Sequence, residues 1–468
     1  MMGLSSNISA PARRQRLAAC IAALFTMAAP DVATAIAPAV TNCEDHGPGS
    51  LRASILGAGS GDTIDLGSLP CSVVTLTTGA LVVNQAGGLV INGPSDGTVG
   101  ITVQYAVGKS KPYRIVDFES ATGDLHLSHL ELSYGNKISS SNAYGGCIYS
   151  KGNLYVSDSS VHNCTVSTNG HNARGGGIFG KARVTLDRTR VFGNTATYVS
   201  SYQVVIGGGV FALNGFYCSY STITGNSAIS PAGQGGGVQA DGFSNLYNST
   251  ISNNTAAMGA GAVLTGIGDL LKTRIVDSTI SGNSSSGLVG GIFIDHALEL
   301  SNSTIAFNTA AIGKGKFGNY YAAPGLSLSS SAVPISDVLK SSLLSNNTYG
   351  TTESDLSSTP YSPGATITIS ATNNLIRATT AGAATVTQAC PLLGPLRNNG
   401  GPTPTHALLS HSPAIDVGNN DAGATTDQRG PGFARISPAN GSADIGAYEV
   451  QKSDIMFDAG FDGCPALP

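Results

Sequence analysis

The sequence predicts an all-β chain wound as a right-handed parallel β-helix solenoid, with a short helical cap before it and a turn-rich cap domain after it. Three observations carry that expectation. A unit that opens with Gly-Gly and ends with Asn recurs through the middle of the chain. Charged residues are only 11% of its 468 residues, while Gly numbers 61. The repeated segments are short and β-branched, with Gly at their ends.

The first halves of the units are Gly145-Gly146-Cys147-Ile148, Gly175-Gly176-Gly177-Ile178, Gly207-Gly208-Gly209-Val210, Gly235-Gly236-Gly237-Val238 and Gly290-Gly291-Ile292. The second halves include Thr222-Ile223-Thr224-Gly225-Asn226, Thr250-Ile251-Ser252-Asn253-Asn254, Thr279-Ile280-Ser281-Gly282-Asn283 and Thr304-Ile305-Ala306-Phe307-Asn308. From third Gly to Asn the separation is 17 residues in three units (177 to 194, 209 to 226, 237 to 254), and whole units recur every 25 to 32 residues. A unit this short buries its apolar face only by stacking on its neighbours. Alternation along the strand then puts Ile223, Ile251, Ile280 and Ile305 in one inner column, with Thr and Ser pointing outward. The Asn is expected at a corner, taking a left-handed backbone and forming a side-chain ladder. Gly is expected to supply positive φ at the opposite bend.

In the first unit Cys147 replaces the third Gly and Cys164 the ladder Asn, again 17 apart. They are a candidate disulfide; two buried thiols are the alternative. Eight Cys occur, and Cys20 precedes an expected cleavage site, leaving seven: Cys43, Cys71, Cys147, Cys164, Cys218, Cys390 and Cys464. An odd number leaves one thiol free or paired between chains.

The N-terminus reads as an export signal: Arg13, Arg14 and Arg16, an apolar run over 17–29, and Ala33-Thr34-Ala35 as an A-x-A site, so that the mature chain starts near Ile36. Its formal net charge would be −4 − 3 + 1 = −6, after loss of three Arg and one Asp. The run is too short to span a bilayer, and no later segment is long and apolar enough to do so as a helix. No basic cluster follows, so nucleic acid is a poor partner.

Leu51, Ile55 and Leu56 suggest a helix within 42–61 that caps the open end of the tube. Strands are expected at 73–76, 81–83, 89–91 and 366–369. The resulting division is 1–35 signal peptide, 36–62 N-terminal cap, 63–350 repeats, 351–450 terminal coils and a C-terminal domain, and 451–468 tail.

The Gly-Gly-[Ile/Val] and Asn motifs resemble the repeats of chlamydial polymorphic outer membrane proteins and related bacterial β-helix proteins. Asp45-His46-Gly47-Pro48-Gly49-Ser50-Leu51-Arg52 with Gly61-Asp62-Thr63-Ile64 resembles their N-terminal cap. Asn398-Asn399-Gly400-Gly401-Pro402-Thr403, Ser412-Pro413-Ala414-Ile415-Asp416, Asp427-Gln428-Arg429-Gly430 and Asp444-Ile445-Gly446-Ala447-Tyr448-Glu449 together resemble the choice-of-anchor Q domain. Residues 455–463 resemble tails of similar gammaproteobacterial proteins. The resemblance implies a secreted or surface-associated protein, at the cell surface or outer membrane of a Gram-negative bacterium. It supplies no catalytic residues, and no autotransporter barrel is evident.

For function, the sequence suggests adhesion or binding to a polysaccharide or other cell-surface ligand. Two positions after the third corner residue stand Tyr149, Phe179, Phe211, Gln239 and Phe293, following the aliphatic column Ile148, Ile178, Val210, Val238 and Ile292. Alternation puts Tyr149, Phe179, Phe211 and Phe293 outside the tube, as a strip for stacking on sugars or a partner unless outer loops cover it.

The rival reading is a polysaccharide lyase or hydrolase. It needs two carboxylates roughly 5–10 Å apart, and Asp158 with Asp187, or Asp241 with Asp269, are spaced by about one coil. Ile294-Asp295-His296 has no acidic companions, and His296 reads as a surface residue. Asp416, Asp427, Asp444 and Glu449 raise calcium as a candidate ligand. Against it, no D-x-D-x-D-G loop occurs, and the same acids serve equally as turn braces paired with Arg429 and Arg435. No spacing suggests zinc, and no cofactor is expected.

Overall fold

The structure, a computed structural model, describes residues 37–95, 101–105, 113–198, 204–266, 272–311, 322–330, 334–360, 364–381, 389–436, 441–452 and 454. The expected signal peptide, the site at Ile36 and the tail from 455 lie outside them.

Alternating β-branched and aliphatic residues pair coil on coil into three long parallel sheets. Face A has 11 strands, from Thr63–Asp65 to Ile367–Thr372. Face B has 11, from Val73–Leu76 to Leu375–Ile376, and face C has 10, from Leu81–Val83 to Leu356–Pro360. One circuit runs Ile178–Gly180 on face C, Val184–Asp187 on face A and Arg190–Phe192 on face B. The chain then leaves the tube through Thr195–Tyr198 and returns through Val205–Ile206 to the next face C strand, Val210–Ala212. The chain is a parallel β-helix solenoid.

The Ile column is inside as expected: Ile223, Ile251, Ile280 and Ile305 pair in register and are 0–2% exposed. The constant spacing of 17 now has a cause. It is one circuit of the tube, so third Gly and Asn do not mark opposite bends but meet where the circuit closes. A Cβ on Gly177 would stand 2.9 Å from Asn194 Cγ, and one on Gly237 2.8 Å from Asn254 Nδ2. The third Gly is there to leave room for the amide. The variable part of the repeat is the excursion, which starts after the Asn and ends at the next Gly triplet. Positive φ also falls one step away from the expected place, on the residue before the Asn (Gly193, Gly225, Asn253, Gly282) and on the first Gly of the triplet.

The ladder itself is continuous. The Nδ2 groups of Asn194, Asn226, Asn254, Asn283 and Asn308 each donate to the next Asn Oδ1 at 2.8–3.0 Å, ending on Asn347. Each Oδ1 also accepts the backbone N–H of the preceding ladder Asn. All six side chains are fully buried. At one end the N–H of Cys164 donates to Asn194 Oδ1. At the other, Asn347 Nδ2 donates to Asp355 at 2.7 Å, whose second oxygen accepts from Ala378 N–H. The structure pairs Cys147 with Cys164, where later coils carry Gly and Asn, and also pairs Cys43 with Cys71. Cys390 is disulfide-bonded too. Cys218 is free and buried, its thiol pushed up to about 12 by burial.

A second ladder lines the corner between faces A and B. Backbone N–H groups of Thr189, Ser221, Ser249, Ser278 and Ser303 donate to the hydroxyl of the next Ser in the series, ending at Ser342. One residue before each stands a left-handed corner residue, Arg188, Tyr220, Asn248, Asp277, Asn302 and Ser341, and His129 and Asp158 hold the same corner in the two preceding coils.

The helix forms at Leu51–Gly57, N-capped by the Ser50 hydroxyl. Leu51 and Ile55, four apart, face the core. Leu56 does not share their face, contrary to expectation, and is 72% exposed. Arg52 staples the cap to the first coil through Asp45 and the carbonyls of Gly79 and Ala80.

The C-terminal segment does more than follow the last coil: it lies as a strap along face B of the later coils. Gln428 bonds Thr279 and Thr250, and Thr250 donates to Pro404 O. His406 bonds Ser281, and the Thr304 hydroxyl accepts from Ala447 N–H. Polar corner residues dock it as well: Asn248 to Asp427 O, Asn302 to Asn419 O, and Asn419 N–H to Ser341. Leu343, Leu375, Leu393, Leu408, Ile445 and Tyr448 share an apolar cluster between strap and tube.

Two outcomes are expected. Asn254→Leu should lower stability by at least ~3 kcal/mol, because several buried groups lose partners at ~1–3 kcal/mol each, whereas the exposed Thr255→Ala should change it by less than ~0.5 kcal/mol; urea midpoints decide, and equal midpoints refute the ladder. For the strap, burial depresses the His406 pKa to about 4 from 6.5. Stability from the neutral ring is therefore fully present above pH 6.5 and lost as pH falls through about 4, by roughly 3 kcal/mol. Burial raises Asp277 to about 7 and works in the opposite sense over part of that window. The readout is thus the melting of the parent minus that of His406→Gln between pH 7 and 4. A pH-independent difference contradicts the assignment.

Candidate binding face

Outward side chains of the three faces meet different fates. On face C the register stacks Tyr149, Phe179 and Phe211 with ring centroids 5.5 and 5.2 Å apart and planes 7° from parallel. They lie outside the tube, as alternation requires, yet they are not an open strip: their exposures are 8%, 2% and 1%. The returning excursion strands Ala143–Tyr144, Ala173–Arg174 and Val205–Ile206 fold over them. Tyr144 stacks on Phe179 at 4.5 Å, Arg174 sits over Phe211, and Arg114 sits over Tyr149. Each ring face is already taken by a neighbouring coil. Gln239 and Val263 separate Phe293 from this stack, and it is half-buried.

Face B is covered by the strap from the coil of Thr250 onward. Among the described residues, face A is the one over which no strap or excursion strand lies. Its central outward file runs Thr63, Val90, His126, Tyr155, Thr185, Tyr217, Asn245, Arg274, Glu299, Val338 and Ser370 in register, every member half-buried or exposed. His126 stacks on Tyr155 at 4.3 Å, 3° from parallel, so these rings use their faces coil to coil and offer edges to solvent. Tyr217 and Tyr247 are tilted at 44°. The surface is therefore mainly one of hydroxyls, amides and ring edges, with Val90 and Val338 and the Arg274–Glu299 ion pair between them. Aromatic content alone does not mark this file, of whose members only His126, Tyr155 and Tyr217 carry rings. The signal was the alternation in 124–128, 153–157 and 184–187, where each polar residue follows an aliphatic one.

The proposed acid pairs do not form cleavage sites. Register places Asp187 opposite Ser157, with Asp158 at the corner. Arg188 bonds Asp158 at 2.6 Å and Asp187 at 2.5 Å, and holds the Asp158 carboxyl below its usual range. Asp241 bonds Thr265 and Gln239, and Asp269 lies outside the described residues. Glu299 is held low by Lys272 and Arg274. Of the carboxyls raised by burial, Asp277, Asp337, Asp355, Asp427 and Asp444 are buried away from solvent, and Asp117 is half-buried.

One pair escaped sequence reading: Asp117 and Glu119, two apart on one strand side, hydrogen-bonded to each other. Burial raises Asp117, while Lys151 lowers Glu119. Touching carboxyls leave no room for a glycosidic bond between them.

His296 is not a surface residue. It is 4% exposed and bonds Thr273 at 2.7 Å, with Asp295 beside it at 3.5 Å. The C-terminal acids brace backbone. Asp427 pairs with Arg429 at 2.8 Å, and Asp444 accepts from Asp416 and Val450 N–H. Glu449 accepts from Asp444 N–H, and Arg435 faces Asp277 at 3.6 Å. Among the described residues no three metal-binding side chains cluster, and no helix is long and apolar enough to cross a membrane.

No protein-family profile matches the chain, and no curated protein does. Among solved structures it is similar to the crystal structure of pectate lyase Pel9A, with a TM-score of 0.41 and 12% identity over 89% of this chain and 98% of that one.

Because Phe179 is sealed, Phe179→Ala should act on stability, costing roughly 3–5 kcal/mol. A thermal melt unchanged by this substitution would show that the excursion does not cover the ring.

Proposed function

We propose that the chain is an exported, non-catalytic surface protein that binds a polysaccharide along face A, with the choice-of-anchor Q-like strap as a lateral brace. The observation that carries the reading is the open face. Its 11 strands span ten spacings, roughly 48 Å at about 4.8 Å each, long enough for an extended polymer. The same chain covers face B from the coil of Thr250 onward, and the coils of Tyr149, Phe179 and Phe211 on face C, with its own segments. A ligand repeating along its length meets a hydroxyl, amide or ring edge on seven of the eleven strands, and many weak contacts add through a single polymer. The Asp187 and Glu299 carboxylates on this face are engaged by cations, which supports binding over hydrolysis there. A general acid would need a raised pKa and solvent access together.

The second reading, polysaccharide cleavage, draws on one observation: Asp117 is a half-buried carboxyl raised by burial. It would have to serve as a lone acid, since Glu119 beside it leaves no room for a bond between the two.

Affinity electrophoresis of the mature chain through gels containing plant, algal and host-type glycans tests the first reading. Retardation is expected with at least one of them. Tyr217→Ala combined with Asn245→Ala should weaken it about tenfold, the worth of one or two hydrogen bonds, with cooperative melting preserved. Release of reducing or unsaturated ends, abolished by Asp117→Asn, would instead establish cleavage.

A further inference from the structure

At the N-terminal edge of face A the open surface deepens into a groove of about 420 Å³, lined by Thr63, Asp65, Asn92, Gly93, Ser128 and His129, among others. Three of these form one outward file: Asp65 pairs in register with Asn92, and Asn92 with Ser128. Their side chains therefore project at one-strand intervals, about 4.8 Å. The Ser128 hydroxyl donates to Asn92 Oδ1 at 2.6 Å, which fixes the amide orientation and turns its N–H₂ away from Ser128. Asp65 is exposed, and one of its oxygens accepts from Gly67 N–H at 2.8 Å. That bond fixes the carboxylate and leaves its other oxygen toward solvent.

The floor is backbone. A Cβ on Gly93 would stand 2.0 Å from the carbonyl oxygen of His129, so this lining position admits no side chain. His129 forms the far wall from a left-handed corner position.

We infer that this groove is the terminal subsite of face A and takes a neutral sugar unit through a pair of adjacent hydroxyls. The inference rests on the polysaccharide-binding reading above and gives it a ligand class and an end. A fixed carboxylate accepts from two neighbouring hydroxyls, and the fixed Asn92 amide beside it donates to a third oxygen. The one carboxylate among the lining residues is that of Asp65, and no Lys or Arg lines the groove. Such a groove repels uronates and sulfated sugars. Thr63 belongs both to the groove and to the central file, so a chain seated here continues over Val90, His126 and Tyr155 without a break.

Calorimetric titration of the mature full-length chain tests this, using neutral β-linked gluco-, manno- and xylo-oligosaccharides of two to six units, with oligogalacturonate as the charged comparison. Binding of a neutral series is expected. Asp65→Ala and Asn92→Ala should each weaken it tenfold or more, while Ser370→Ala, at the other end of the face, should leave short oligosaccharides unaffected. Thermal melts of each variant report folding. Should Asp65→Ala alter folding, Asp65→Asn, which keeps the acceptor for Gly67 N–H, replaces it. Polymer binding with Asp65 and Asn92 variants unchanged overturns the subsite and leaves the face A reading standing. Preference for oligogalacturonate overturns the neutral class. No binding of any polymer overturns the face A reading itself.

Discussion

Everything in this solenoid hangs on the contact that closes each circuit: a fully buried Asn amide set against a Gly that has no side chain to obstruct it. A circuit of 17 residues brings the two together. The amide then satisfies a carbonyl of the previous coil and the amide of the next, while its oxygen accepts two N–H groups from the coil before. Unmade, these groups would be buried polar orphans, each costly. Made, they run in one sense from Cys164 to Asp355. Such an aligned chain polarises its members cooperatively, and its end on a carboxylate matches the direction of its dipoles. The Cys147–Cys164 disulfide does covalently at the first unit what Gly and Asn do by packing later.

Closing the circuit at one seam frees the rest of the repeat. Between each Asn and the next Gly triplet the chain leaves the tube, and the length of that departure varies without disturbing the core. Where the excursion is long, its return strands cover the face C rings. On face B the cover comes from the strap instead, and short polar corner residues, Asn248, Asp277, Asn302 and Ser341, meet it in the coils it covers. The uncovered coils carry larger corners: His129, Asp158, Arg188 and Tyr220. Open and closed surfaces are thus written into which residue occupies a corner, one per coil.

Much of this was legible. The Ile column, the β-helix and the Asn ladder follow from periodicity alone, because a repeat forces identical environments. The Ser ladder was equally legible, in Ser221-Thr222-Ile223, Ser249-Thr250-Ile251 and Ser278-Thr279-Ile280, but outward Thr and inward Ile draw attention first. What sequence could not supply was the relation between elements distant in the chain. Whether Phe179 is open depends on Tyr144 and Arg174, and whether Thr250 is open depends on Gln428, 178 residues away. Alternation correctly placed the aromatic column outside the tube; it could not say that the outside was covered. The same limit hid the Asp158–Arg188–Asp187 arrangement, where one cation satisfies two acids whose spacing resembled a catalytic pair.

Hydroxyl-radical footprinting, read by mass spectrometry with and without the bound glycan, tests most directly that face A is the working surface. In the free protein His126, Tyr155, Tyr217 and Tyr247 should label readily, while Phe179, Phe211 and Tyr448 stay protected, and glycan should quench labelling of the first set alone. Free labelling of Phe179 and Phe211, or glycan protection confined to the strap, would contradict the account.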